Sequence, residues 1–155
     1  MYTNRKKFNA GFTLVETLIA LTLGAIISLM IVITVTNGLM NIRNASEMER
    51  LHSDATFIAN ILTYWIKQSV EIEVPDNTTL NLIMYNASTT SFELNGVNLG
   101  MALDEGTPAR INTEDSKVEN ITFTKLAKSV RISFVLKAPN AELRLSATST
   151  IAQRN

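Results

Sequence analysis

Between positions 12 and 36 the chain runs for 25 residues with a single charge, Glu16. As a helix rising about 1.5 Å per residue, that stretch is about 37 Å long, enough to cross a bilayer core of about 30 Å with some tilt. Arg5, Lys6 and Lys7 lie just before it, and no basic residue falls inside it. Positive charge on the N-terminal flank predicts that this end stays on the cytoplasmic side while the rest of the chain is translocated. Glu16 does not suit an ordinary anchor. A carboxylate near the centre of a spanning helix costs roughly 2.5–3.5 kcal/mol, less near the interface, and an ionisable group there needs a partner.

The residues around that carboxylate carry more information. The string Gly11-Phe12-Thr13-Leu14-Val15-Glu16, preceded by a short basic leader and continued by Thr17-Leu18-Ile19-Ala20-Leu21, resembles the type III signal of type IV pilins, pseudopilins and minor pilins. The resemblance implies that a prepilin peptidase cuts after Gly11 and that Phe12 becomes an N-methylated N-terminus. It also implies that Glu16, the fifth mature residue, takes part in assembly. The physics is consistent: cleavage creates a charged amine at Phe12, and the carboxylate of a neighbouring subunit can neutralise it where neither charge is well solvated. A cleaved secretory signal is the competing reading. Its apolar stretch of about 7–15 residues is too short for this run, and no Ala-x-Ala site comes after Val35.

Composition limits the remainder. A chain of 155 residues suggests one exported domain. The full chain is formally neutral, with 14 basic and 14 acidic residues. Loss of Arg5, Lys6 and Lys7 leaves 11 basic against 14 acidic, a formal charge of −3. That balance argues against a nucleic-acid surface, so none is expected as a partner. There is no cysteine, so the domain has neither a disulfide nor a thiolate metal site.

Asn37-Gly38 ends the strongly apolar segment and is a candidate bend or point of local melting, because Gly costs about 1 kcal/mol in a helix relative to Ala. Pilin helices often carry a Pro near mid-membrane, and here no Pro lies between Phe12 and Leu62. Beyond it, Met48, Leu51, Ala55, Ile58, Leu62 and Trp65 recur at spacings of three and four, the mark of one apolar helical face. Arg43, Glu47, Glu49, Arg50, Asp54 and Lys67 take mostly the other positions. Pro75-Asp76-Asn77 is the turn signal that bounds this helix.

After Pro75 the pattern becomes β. Runs at 80–85 and 91–94 lead to Asn95-Gly96, which predicts a type I′ hairpin turn into a run at 97–103. A polar stretch at 104–117 reads as an exposed loop. Runs at 118–126, 130–137 and 141–151 then alternate apolar with polar residues, the pattern of an antiparallel meander with one buried face.

The expected fold is therefore α+β: a long N-terminal helix, half transmembrane and half amphipathic, packed on a C-terminal antiparallel β-sheet, as in pilins. The expected division is a leader at 1–11, a transmembrane and assembly helix at 12–36, an amphipathic helix at 37–74 and a β domain at 75–155. The order of elements in the β region is similar to minor subunits of the J-type or W-type.

No catalytic constellation is visible. His52 is the one histidine, without a second His or Cys, and reads as a solvated or packing residue. Asp104, Glu105, Glu114 and Asp115 could offer oxygen ligands to Ca²⁺, as in some J-type pseudopilins, but lack the spacing of a calcium loop. No cofactor or metal is expected.

The expected function is thus structural, not enzymatic: a minor pilin or pseudopilin anchored once in the cytoplasmic membrane. Its partners would be prepilin peptidase and other pilin or pseudopilin subunits, in a type IV pilus or a type II secretion pseudopilus. The alternatives are a ligand-binding tip subunit, for adhesion or DNA uptake, and a plain signal-anchored extracellular domain.

Overall fold

A computed structural model describes residues 13–104, 106–139 and 142–154. The order of elements is one helix, α1 (Leu14–Gln68), then β1 (Ser69–Asp76), β2 (Thr79–Met84), β3 (Thr89–Asn95), β4 (Asn98–Leu103), β5 (Ala109–Arg110), β6 (Lys117–Leu126), β7 (Ser129–Lys137) and β8 (Arg144–Ala152). The chain divides into two compact units, Met1–Ile42 and Arg43–Asn155. Among the described residues the first unit consists of Thr13 and the beginning of α1. The second holds the end of α1 and all the strands.

The expected α+β class is what the chain adopts: a long N-terminal helix, then antiparallel sheet. Asn37 and Gly38 are helical, so the local melting suggested by the sequence is absent. Helical hydrogen bonding, with no Pro in the segment, tolerates a single Gly at modest cost. In the second unit, Leu51, Ala55, Ile58, Leu62 and Ile66 belong to the buried stripe of α1. Trp65, which its spacing places on that stripe, packs half-buried at the margin against Tyr64, ring centroids 5.6 Å apart and edge-on.

The expected end of the helix is corrected. It stops at Gln68, where the Ser69 hydroxyl donates to the Ile66 carbonyl at 2.8 Å, and residues 69–76 are the first strand. Val70-Glu71-Ile72-Glu73-Val74 alternates with a period of two and is rich in β-branched residues, which favour a pleated surface over a helix. The turn at Asp76 exists, but it joins β1 to β2. There the Asp76 carboxylate accepts from the Thr78 N–H and hydroxyl, both at 2.8 Å, and from the Thr79 hydroxyl at 3.2 Å.

The β region is two sheets, where the sequence pattern predicts one. The first has the order β1-β2-β3-β4-β5 and the second β6-β7-β8, all neighbours antiparallel. Two backbone bonds outside any ladder join them, Phe123 N–H to the Asn77 carbonyl at 2.8 Å and Val118 N–H to the Val97 carbonyl at 2.9 Å, and the Gln153 side chain donates to the Ser69 carbonyl at 2.8 Å. One continuous core spans both, with Leu80, Leu82, Phe92 and Leu99 from the first sheet, and Ile121, Phe123, Ile132 and Leu136 from the second, all essentially inaccessible.

The β3–β4 hairpin falls at Asn95-Gly96 as expected, with a different turn. Asn95 pairs with Asn98, so Gly96 and Val97 are the central residues, and of these Gly96 alone has a positive φ, 63°. A positive φ at the first central position alone is the pattern of type II′, which favours Gly there.

The stretch at 104–117 is not simply an exposed loop. It contains β5, which pairs with β4 at Gly100 and Met101. Gly100 is required at that contact, since a Cβ there would lie 2.9 Å from the Pro108 Cβ. Farther on, Asn112 and Ser116 are buried. The Asn112 side chain accepts from Leu99 N–H at 2.9 Å and donates to the Ser116 carbonyl at 2.7 Å. Thr113 donates to the Asp54 carboxylate of α1 at 2.5 Å, which gives a partner to a charge that lies three residues after Leu51 and four before Ile58, at the buried edge of the apolar stripe. Polar residues here replace missing ladder bonds, because buried backbone groups must find partners.

Asn112→Ala strands the Leu99 N–H and the Ser116 carbonyl and should cost about 2–3 kcal/mol in chemical denaturation of the full-length chain. At the β1–β2 turn, the bonds from the Thr78 hydroxyl, foremost, and the Thr78 N–H hold the Asp76 carboxyl below the ordinary carboxylate range. A group depressed in the folded state stabilises above its unfolded value, and that contribution is lost as pH falls through the folded one. Thr78→Val should therefore raise the Asp76 titration midpoint seen by NMR.

Candidate functional site

Helix α1 opens with a side-chain cap. Thr13 is the residue before Leu14, and its hydroxyl accepts from the Glu16 N–H at 3.3 Å. The Glu16 Oε2 accepts in return from the Thr13 N–H at 3.3 Å and from its hydroxyl at 3.4 Å. This is the reciprocal capping box, in which two side chains satisfy two of the orphan N–H groups of a helix start. The carboxylate also sits at the positive end of the helix dipole, where a negative charge is favoured. All three bonds are long, so the cap holds Glu16 loosely. The sequence signal that could have found it is Thr-x-x-Glu before an apolar run, which the pilin resemblance by itself does not single out.

Beyond the cap the helix is a bare apolar cylinder. Leu14, Val15, Leu18, Ile19, Leu21, Leu23, Ile26, Ile27, Leu29 and Met30 are each more than half exposed. Among the described residues nothing covers any face of the segment. Its threonines are disguised. The hydroxyls of Thr17, Thr22, Thr34 and Thr36 donate to the carbonyls of Leu14, Ile19, Met30 and Val32 at 2.8–2.9 Å. Such back-bonding removes free O–H donors from the surface and leaves methyl groups facing out. Glu16 is left as the one ionisable side chain of the described segment up to Thr36.

The other residues predicted to act at this end, Arg5, Lys6, Lys7, Gly11 and Phe12, lie outside the described residues. Among the described residues Glu16 stands with Thr13, which is not among the predicted site residues.

The remaining candidates are dispersed. His52 is exposed and flanks a groove beside β8. Asp104 accepts from the Thr89 N–H at 2.8 Å, on a turn where its own φ is 47°. Asp115 faces Arg50 across 3.6 Å of solvent-exposed surface. Among the described residues no group of three or more His, Cys, Asp or Glu side chains is placed to hold a metal ion, and Glu105 lies outside them.

Comparison with known proteins gives one match. Residues 6–34 match the prokaryotic N-terminal methylation motif, the type IV pilin signal. This is consistent with a prepilin or pseudopilin, and it points to a structural protein with a membrane-spanning type of N-terminal helix. The match covers Lys6 and Lys7, the capping box and most of the bare cylinder. No curated protein and no solved structure matches the chain.

Thr13→Val keeps the shape at the cap and removes its acceptor. Loss of a helix cap costs about 1 kcal/mol, so amide exchange at Glu16 should speed about fivefold in detergent-solubilised protein. Unchanged exchange there would show that the cap does not hold the helix start.

Proposed function

We propose that this chain is a minor pilin or pseudopilin subunit, cut by prepilin peptidase after Gly11, methylated at Phe12, and assembled through its N-terminal helix. The observation that carries this reading is the pairing of a fully uncovered apolar helix with one loosely held carboxylate at its head. The methylation motif over the same residues supports it.

Each property has a use in such a cycle. Before cleavage the uncovered cylinder is solvated by lipid, with Arg5, Lys6 and Lys7 on the cytoplasmic side. Extraction into a filament exchanges lipid for the like surfaces of neighbouring subunits, so no apolar area meets water at either stage. Glu16 is tolerable in the bilayer because it lies near the interface and Thr13 satisfies it. In the filament it gives up those long bonds for the charged amine at Phe12 of a neighbour, forming a charge-assisted pair in low dielectric. An ion pair that forms in one register and is stranded in others selects that register, which is the best-attested use of buried charge.

The exported β domain then decorates the assembly. Pilus and secretion pseudopilus both use this chemistry, and the domain at 43–155 supplies what distinguishes one subunit from another.

Intact mass of membrane-extracted protein, with and without co-expressed peptidase, tests the first half. Loss of Met1 to Gly11 with one added methyl group is the expected result, and an uncut chain would sink the proposal. Glu16→Leu tests the second half. Cleavage should persist while incorporation into filaments falls at least tenfold. Normal incorporation would show that the carboxylate does not pair in the assembly.

A further inference from the structure

Where α1 ends, the second unit carries two adjoining open clefts. The first, of about 440 Å³, is lined by Trp65, Gln68, Tyr85, Asn86 and Asp104, among others. The second, of about 450 Å³, is lined by Lys67, Lys128, Gln153 and Arg154, among others. Gln68 and Tyr85 line both, so the two form one continuous surface.

The first cleft is aromatic and polar. Tyr85, in the loop between β2 and β3, is 95% exposed and adds nothing to the core. Half-buried Trp65 stands beside it. The Asn86 oxygen accepts from the Ser88 N–H at 3.1 Å and hydroxyl at 2.6 Å, which turns its amide N–H groups to the outside. Asp104 is held twice to Thr89: its Oδ1 accepts from the Thr89 N–H and its own N–H donates to the Thr89 carbonyl, both at 2.8 Å. Its Oδ2 has no partner among the described residues. Ala87 and Asp104 are the two non-glycine residues with positive φ among those described, at 63° and 47°. Asp104 lines this cleft, and Ala87 sits between two lining residues, Asn86 and Ser88. In a three-residue loop such as 85–87, closed by the bond from Met84 N–H to the Ser88 carbonyl, Gly is the usual residue at the left-handed position. Strain of this kind concentrates at binding sites.

The second cleft is cationic. Lys67, Lys128 and Arg154 come from three separate parts of the chain, and no carboxylate is among the lining residues. The helix dipole favours Lys67 in the last turn of α1, but explains neither Lys128 nor Arg154. Ion pairs among the described residues engage Arg50 and Arg144, and leave Lys67 and Arg154 without one. These cations gather although the chain beyond Gly11 holds more acidic than basic residues. Clustered like charges repel one another, and a bound anion relieves that repulsion.

We infer that this surface binds an acidic oligosaccharide. The C–H face of a sugar ring rests on Tyr85, whose π face carries the negative part of the ring quadrupole. Sugar hydroxyls donate to Asp104 and accept from the amides of Gln68 and Asn86. The anionic group of the same or the next sugar, a carboxylate or a sulfate, pairs with Lys67 and Arg154 through charge-assisted hydrogen bonds. Single-stranded nucleic acid also binds to aromatic rings flanked by cations. A charge at every nucleotide, however, would bring phosphate against Asp104 in the aromatic cleft, and the acidic excess of the chain opposes such a strand.

The test applies the full-length chain, in detergent micelles, to an array of neutral, uronate-bearing, sialylated and sulfated oligosaccharides. The expected result is binding confined to acidic members and weakened by added salt. Tyr85→Ala removes an exposed ring and leaves the core untouched, so the chain should fold and bind about tenfold more weakly, while Tyr85→Phe keeps the stacking surface and the binding. The double variant Lys67→Gln, Arg154→Gln should abolish the preference for acidic over neutral members. Absence of binding across the array would overturn the proposal, as would equal binding of neutral members or full binding by Tyr85→Ala. Tighter binding of single-stranded oligothymidylate than of any glycan would replace the saccharide with nucleic acid. Every residue invoked lies in the second unit, so these results do not depend on cleavage after Gly11 or on Glu16.

Discussion

The structure depends on one imbalance: the apolar segment of α1 has no cover of its own. Burying a single large aliphatic side chain is worth roughly 1.5–3 kcal/mol, and ten or more such side chains here stand open. The core of the second unit is complete without them. On the proposed reading cover comes from lipid or from other subunits, and the capping box and the back-bonded threonines suit a helix that meets no water.

Against that surface Glu16 is the informative residue. A carboxylate serves as a cap at the head of any helix, and Thr13 and Glu16 do form one. A cap alone would be met as well by a neutral Gln, without the cost of a charge beside the bilayer. An acid in this position is explained by a positive partner, and on the proposed reading that partner is the amine that cleavage would create at Phe12, one residue before the cap in sequence. On that reading, cap and ion pair are two uses of the same atoms at two stages.

The second unit solves a separate problem, that of folding without disulfides. It does so with a core shared by one helix and two sheets, and with a polar clasp where the sheets part. Asn112, Thr113 and Asp54 form that clasp, tying the segment after β5 to β4 and to α1. Bulges, charge and shortness manage the other strand edges of the same domain. β8 is the exception: on the side away from β7 it pairs with no strand among the described residues.

Period and composition are enough to determine the helix, its uncovered half, its buried stripe and the alternation of the later strands, because each is a local consequence of where apolar side chains fall along the backbone. The signal around Gly11 and Glu16 is equally legible, being a contiguous string. The end of the helix is misplaced by sequence reasoning because the turn signal at Pro75 closes β1 and not the helix, while the change to period two that marks the strand spans only Val70 to Val74. Asp54 and Asn112 look solvent-facing in the sequence since their partners lie 59 and 13 residues away in the chain. The split into two sheets and the free edge of β8 are likewise decided by tertiary structure alone. Strand order is a property of which edges meet in space, and no single strand's sequence records its neighbours.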